Sequence, residues 1–184
     1  MELFAEYGVG ATSYQMIADA IGVTKGAIYH QFNTKDEIII AVAEMELARL
    51  EDALEAAEAL DCRIEARELL LNLVIDHAVE HRRAANTLQF DPVIVRLLSD
   101  HEPFQRFIER LYGMLVGDEP GPDTQVRLAA LTCVIGGTVS HPLVAGLDDD
   151  MLRNQLSEIA RRIVGLPETI SQRRTDRRSK RASA

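Results

Sequence analysis

The run Val23-Thr24-Lys25-Gly26-Ala27-Ile28-Tyr29-His30 gathers a hydroxyl, a cation, a bare backbone position and two hydrogen-bonding rings within about two helical turns. Gly26 is a poor helix former, costing about 1 kcal/mol against Ala, so a bare backbone must be useful there. A second short helix entering a DNA major groove explains it. Its leading residues lie near base edges, and a position without a side chain lets the backbone come close. Lys25 can reach a guanine edge or a phosphate, and Tyr29 and His30, about one turn later, can reach flanking phosphates. Thr12, at the start of the preceding helical segment, can bring a hydroxyl and free N–H groups to a phosphate. Lys35 can do so by charge.

Other chemistry finds no comparable set. There is no G-x-S-x-G, no phosphate-cradling glycine loop and no dinucleotide fingerprint, since Gly8 and Gly10 lack a third glycine and a preceding strand. No catalytic residue is expected. His77 and His81 have the i, i+4 spacing of helical metal ligands, but Ala78 stands where a metalloprotease helix carries Glu. Cys62 and Cys133 are far apart and match no metal or redox spacing. Neither a metal nor a cofactor is expected on this pattern.

Helical periodicity positions these residues, and no strand alternation is sustained. A piece from Met1 to Tyr7 stops at Gly8. A segment capped by Thr12 runs to Ile21 with Met16, Ile17, Ala20 and Ile21 on one face, and Gly22 breaks it. A short helix spans Thr24 to Gln31. A cap at Asn33 and Thr34 opens a long helix to Leu60. Amphipathic segments follow at Arg63 to Arg82, after Pro92 and after Pro103. An apolar run covers Thr124 to Val144, and a last helix covers Met151 to Val164. The fold class is all-α, with about nine helices: a helix-turn-helix three-helix head over residues 1–46, a ligand-binding and dimerisation bundle over 47–168, and a basic tail over 169–184.

Net charge is −9, which by itself opposes nucleic-acid binding. Charge is uneven, however. Ser171 to Ala184 holds six of the twenty Lys and Arg with Asp176 as its one acid, and reads as a disordered, solvated terminus. No run approaches the roughly 18 apolar residues of a membrane span, and on the absence of a basic-then-apolar pattern no secretory leader is expected. A cytoplasmic chain with no membrane partner is expected.

The string LFAEYGVGATSYQMIADAIGVTKGAIYHQFNTKDEI resembles the DNA-binding segment of the TetR family of bacterial transcription regulators. The matching residues are Phe4, Gly8, Thr12, Ile17, Ala18, Ala20, Gly22 to Gly26, Tyr29, Phe32, Lys35, Asp36 and Ile38. The resemblance implies a homodimeric repressor on a palindromic double-stranded operator, with a small-molecule inducer bound in the C-terminal bundle. It assigns Thr24, Lys25, Gly26, Tyr29 and His30 to the recognition helix, and Thr12 and Lys35 to flanking phosphates. In the family the first helix usually begins further upstream, often behind a basic arm. Residues 1–46 carry Lys25 and Lys35 against seven acids. Upstream residues are therefore expected, and an N-terminally extended form should bind the operator more tightly. The alternative is a ligand-binding or protein-interaction dimer with weak or no DNA binding.

In the bundle, the run from Val126 to Gly146 is too apolar for a surface helix, so it must be covered on more than one side. A second subunit is expected to cover one of them. Leu131, Ile135 and Val139, with Leu152, Leu156, Ile159 and Ile163 of the last helix, are the expected dimer interface, Gly136 and Gly137 allowing close approach. Candidates for the inducer pocket are His77, Gln89, Phe90, Phe104, Phe107 and Tyr112, with Asn86 and Thr138 as further polar positions.

Overall fold

A computed structural model describes residues 2–82, 87, 90–117 and 121–167. The described residues form nine α-helices and one 3₁₀ turn, and no strand. Three short helices come first: α1 (Glu2–Ala11), α2 (Tyr14–Ile21) and α3 (Lys25–Gln31). The long α4 (Lys35–Glu58) follows. Then come α5 (Arg63–Glu80), α6 (Pro92–Ser99), α7 (Glu102–Val116), α8 (Pro122–Val139) and α9 (Asp149–Val164), with the 3₁₀ turn at Pro142–Val144.

Local chemistry sets these boundaries. Ser13, Thr24, Thr34, Asp91 and Asp148 each accept a backbone N–H from the first turn of the helix they precede, a cap generally worth about 0.5–2 kcal/mol over Ala. Gly22 ends α2 at φ 71°, a left-handed conformation that a side chain would strain. Gly8, at φ 77°, kinks α1 one turn before its end. The cap of α2 is Ser13 rather than the expected Thr12. The apolar run is helical only to Val139, and Gly136 and Gly137 do not interrupt it.

Two hydrophobic cores result. Phe4, Val9, Ala18, Ile28, Ile38, Ile39 and Ala43 build the smaller one, which also takes in Ile94 and Leu98 from α6. The larger is centred on Leu70, Leu71 and Ile75 of α5, around which α4, α7, α8 and α9 pack. Each fully buried Leu or Ile contributes about 1.5–3 kcal/mol by the area it removes from water. The helix α4 serves both cores, through Ile38, Ile39 and Ala43 near its start and Ala53, Leu54 and Ala57 near its end.

One side chain ties the far end of the bundle. Arg67 donates from Nε and Nη2 to Leu115 O at 3.0 and 2.8 Å, and from Nη2 to Val164 O. A single guanidinium thus meets carbonyls at the C-termini of α7 and α9, where the helix dipoles favour a cation. Replacing Arg67 with Met should lower stability by about 1.5–3 kcal/mol, the range for hydrogen bonds to charged groups. The urea unfolding midpoint measures it.

Candidate nucleic-acid interface and ligand cavity

The helices α2 and α3 pack across Ala18 and Ile28, both buried. This leaves one face of α3 to solvent: Lys25, Gly26, Tyr29 and His30 are all exposed. The Tyr29 ring stacks on Tyr14 of α2, with centroids 4.5 Å apart and planes inclined by 24°, and Lys25 Nζ lies 5.6 Å from the Tyr29 centroid. A cation and two aromatic rings thus form a ladder across the two helices, restricting where Lys25 and Tyr29 point. Burial against its neighbours pushes the Tyr14 phenol above its ordinary value, with Tyr29, Glu37 and Asp36 adding to the effect, so Tyr14 stays a neutral hydrogen-bond donor at neutral pH. A Cβ on Gly26 would meet only Thr24 Oγ1 at 3.8 Å. Nothing within the chain demands glycine there, and the clearance it provides faces outward. Thr24 is exposed and accepts from Ala27 N at 3.2 Å, leaving its hydroxyl proton free to donate outward.

Two residues expected at phosphates are committed elsewhere. Thr12 is fully buried, and its hydroxyl donates to Gly8 O at 2.8 Å and Leu3 O at 3.2 Å. It closes the kink in α1 and presents nothing to a phosphate. Lys35 donates from Nζ to Val9 O at 3.0 Å and Gly10 O at 3.5 Å. The cation therefore sits on the last carbonyls of α1, where the dipole favours it, and ties α1 to the start of α4. The hydroxyl that does face solvent at the start of α2 is Ser13.

Within the bundle lies a cavity of about 260 Å³ bounded by α4, α5, α6, α7 and α8. Leu50, Val74, Leu98, Phe104, Phe107 and Leu131 form much of its wall. Polar groups reach it at Glu46, His77, Ser99, Tyr112 and Thr132. Thr132 donates to Leu128 O at 2.9 Å, so the Tyr112 phenol donates to Thr132 Oγ1 at 2.9 Å. Four expected pocket residues, His77, Phe104, Phe107 and Tyr112, line one space. Phe90 does not and is exposed, and Thr138 is also outside the lining. Gln89 and Asn86 lie outside the described residues, as does the tail 169–184.

Residues 1–42 match the family model for bacterial regulatory proteins of the tetR family. This N-terminal segment is that of the TetR family. Among TetR-family relatives, the transcriptional regulator AcrR of Shigella flexneri is 35% identical over 86 residues, covering 45% of this chain and 40% of AcrR. The transcriptional repressor KstR2 of Mycolicibacterium smegmatis is 31% identical over 109 residues, covering 58% of this chain and 51% of KstR2. The match thus spans about half or less of each relative's length. The fold is shared more widely. FadR of Bacillus subtilis, solved in complex with stearoyl-CoA, superposes with a TM-score of 0.66 at 20% identity, covering 91% of this chain and 95% of that one. AibR, solved with isovaleryl coenzyme A and operator DNA, gives 0.63 at 15% identity, covering 86% of this chain and 91% of AibR.

The expected dimer residues need correction. Leu131, Ile135, Val139, Leu152 and Leu156 are buried in the chain's own core, and Ile163 packs on that core. Only Ile159 is exposed, at 46%. The outward side of α8 instead carries Val126, Ala129 and Cys133, and that of α9 carries Met151 and Ile159. A Cβ on Gly137 would meet nothing within 4 Å.

Tyr14, Ser13 and the outward residues of α8 are the positions that sequence reasoning missed. The first two directly follow Thr12, a hydroxyl near a helix start. Exchanging Thr12 for Val should destabilise the fold by about 0.5–1.5 kcal/mol, because the hydroxyl's hydrogen bonds to Gly8 O and Leu3 O are lost while Gly8 O keeps the N–H of residue 12. The salt slope of DNA binding should not change, whereas loss of a phosphate contact would reduce it by about one. Thermal unfolding and anisotropy titrations at several salt concentrations measure the two effects.

Proposed function

We propose that this chain is a ligand-responsive transcriptional repressor that binds a palindromic operator as a homodimer in the cytoplasm. The observation that carries the reading is the exposed face of α3, where Lys25, Gly26, Tyr29 and His30 stand together with the Tyr14 stack behind them. Gly26 lets the backbone approach a groove, Lys25 addresses base edges or phosphate, and Thr24, Tyr29 and His30 donate to the flanking backbone. Thr12 drops out of this set, and Lys35 acts by fixing α1 against α4. Two such helices must stand about 34–36 Å apart to enter successive major grooves.

A second copy on the outward faces of α8 and α9 supplies that spacing. Val126, Cys133, Met151 and Ile159 give apolar area, and Ala129 and Gly137 allow close approach. The cavity suits a largely apolar ligand with one polar end near Glu46, His77 and Tyr112. An acyl chain fits this description, and FadR and AibR, both solved with acyl-CoA ligands, support that class. Because α4 lines the cavity through Glu46, Leu47 and Leu50 and seals the head core at Ile38 and Ile39, a ligand that favours one placement of α4 shifts the separation of the two heads. It does so only to the extent that it binds the two arrangements with different affinity.

Lys25→Ala and Tyr29→Ala should each weaken operator binding roughly tenfold, within the about 1–3 kcal/mol of a good base contact. Anisotropy with DNA from the upstream intergenic region reads it, and full affinity in both variants would reassign the recognition helix. Ile159→Glu should convert dimer to monomer in sedimentation velocity while leaving the helical circular dichroism intact. A persistent dimer would place the interface elsewhere. The acidic head favours one other reading, a ligand-binding dimer with weak DNA binding. Affinities at low and physiological salt separate the two.

A further inference from the structure

Three metal-ligating side chains converge where α4 meets the end of α5. Glu46, His77 and His81 each bring a donor atom, and all three lie within 4.8 Å of one another. Glu46 and His77 also line the cavity. We propose that Glu46, His77 and His81 bind one divalent transition-metal ion, of the zinc class, at the wall of the ligand cavity.

The local chemistry supports this in four ways. Glu46 Oε2 is buried and has no hydrogen-bond partner, 3.7 Å from His77 Nε2. A carboxylate oxygen held out of water without a donor is costly, and a cation removes that cost. Burial, with His81 adding to it, pushes the His77 imidazolium below its ordinary value. A metal ion binds the neutral form of such a ring. His81 Nδ1 faces His77 O at 3.1 Å. A proton on Nδ1 directed at a carbonyl fixes the tautomer and leaves the Nε2 lone pair for a metal, as in metal-bound histidines generally. Two imidazoles and one carboxylate form a donor set for zinc or a neighbouring transition metal, whereas magnesium and calcium take oxygen shells.

Two adjustments accompany binding. Bonds of about 2.0–2.2 Å to a tetrahedral ion bring its donors to roughly 3.4 Å from each other, so the side chains close by about an ångström. The stacked rings of His77 and His81, 4.5 Å between centroids, rotate to converge. Arg49 Nη1, now 2.9 Å from His81 Nε2, swings away, which its exposed position permits. Three protein donors leave a coordination position open, and because Glu46 and His77 face the cavity, an oxygen of a bound ligand can fill it.

The test uses the full chain without a polyhistidine tag, stripped with a chelator and titrated with Zn²⁺ by calorimetry and with Co²⁺ by visible absorption. The expected result is one ion per chain, intense cobalt d–d bands and no thiolate charge transfer, since neither cysteine takes part. His77→Ala, His81→Ala and Glu46→Gln should each weaken binding by about tenfold or more, because even partners behind a ligand cost that much. Arg49→Ala should tighten it. Circular dichroism checks that every variant remains folded. Absence of saturable binding, affinities unchanged in all three ligand variants, or equal binding of Mg²⁺ would overturn the proposal. The readout uses no DNA, so its failure leaves the operator reading standing.

Discussion

A single helix has to complete two hydrophobic cores at once. The first turns of α4 close the head through Ile38, Ile39 and Ala43, and its last turns close the bundle through Ala53, Leu54 and Ala57. Every other placement in the molecule is made relative to that rod. The head cannot tilt without dragging the stretch between the two contacts, and that stretch carries Glu46, Leu47 and Leu50 into the cavity wall. Arg110, paired with Glu51 and Glu58, holds α7 to the same helix from outside. A change in what fills the cavity therefore has a direct mechanical route to the exposed face of α3.

The head is assembled by polar devices that use up groups otherwise suited to a nucleic acid. The Thr12 hydroxyl donates to Gly8 O and Leu3 O across the kink, and Lys35 Nζ donates to the end of α1. These contacts orient α1 and α4 around the pair of crossing helices. In exchange, the positive charge a polyanion can meet is concentrated at Lys25, held over Tyr29. A face built this way offers a nucleic acid more shape and hydrogen bonding than net attraction.

Much of the architecture was legible in the residues because local signals agreed with one another. Hydroxyl and carboxylate caps, Gly22 at a position that needs φ above zero, and apolar spacing mark most helix starts and stops. The residue that fills a cap was less certain, since adjacent Thr12 and Ser13 offer the same chemistry and only packing decides that one turns inward. The face of α8 could not be read, because an almost wholly apolar helix has no periodicity to distinguish its own core from a neighbour. Leu131 and Val126 look alike in sequence; one is buried and the other is 67% exposed. Glu46 near His77 and His81 is a pairing between helices, to which spacing along the chain carries no clue.

The small core that supports α3 takes in Ile94 and Leu98 from α6, far downstream of the first three helices. Joining the first three helices to another bundle would treat them as a detachable cassette. Here the cassette is discontinuous: a hybrid that joins residues 1–46 to a foreign bundle would leave Ile39 and Phe4 facing an unrelated surface. A working graft would have to carry α6 along with the head, so that the first three helices are inherited together with part of the bundle's cavity wall.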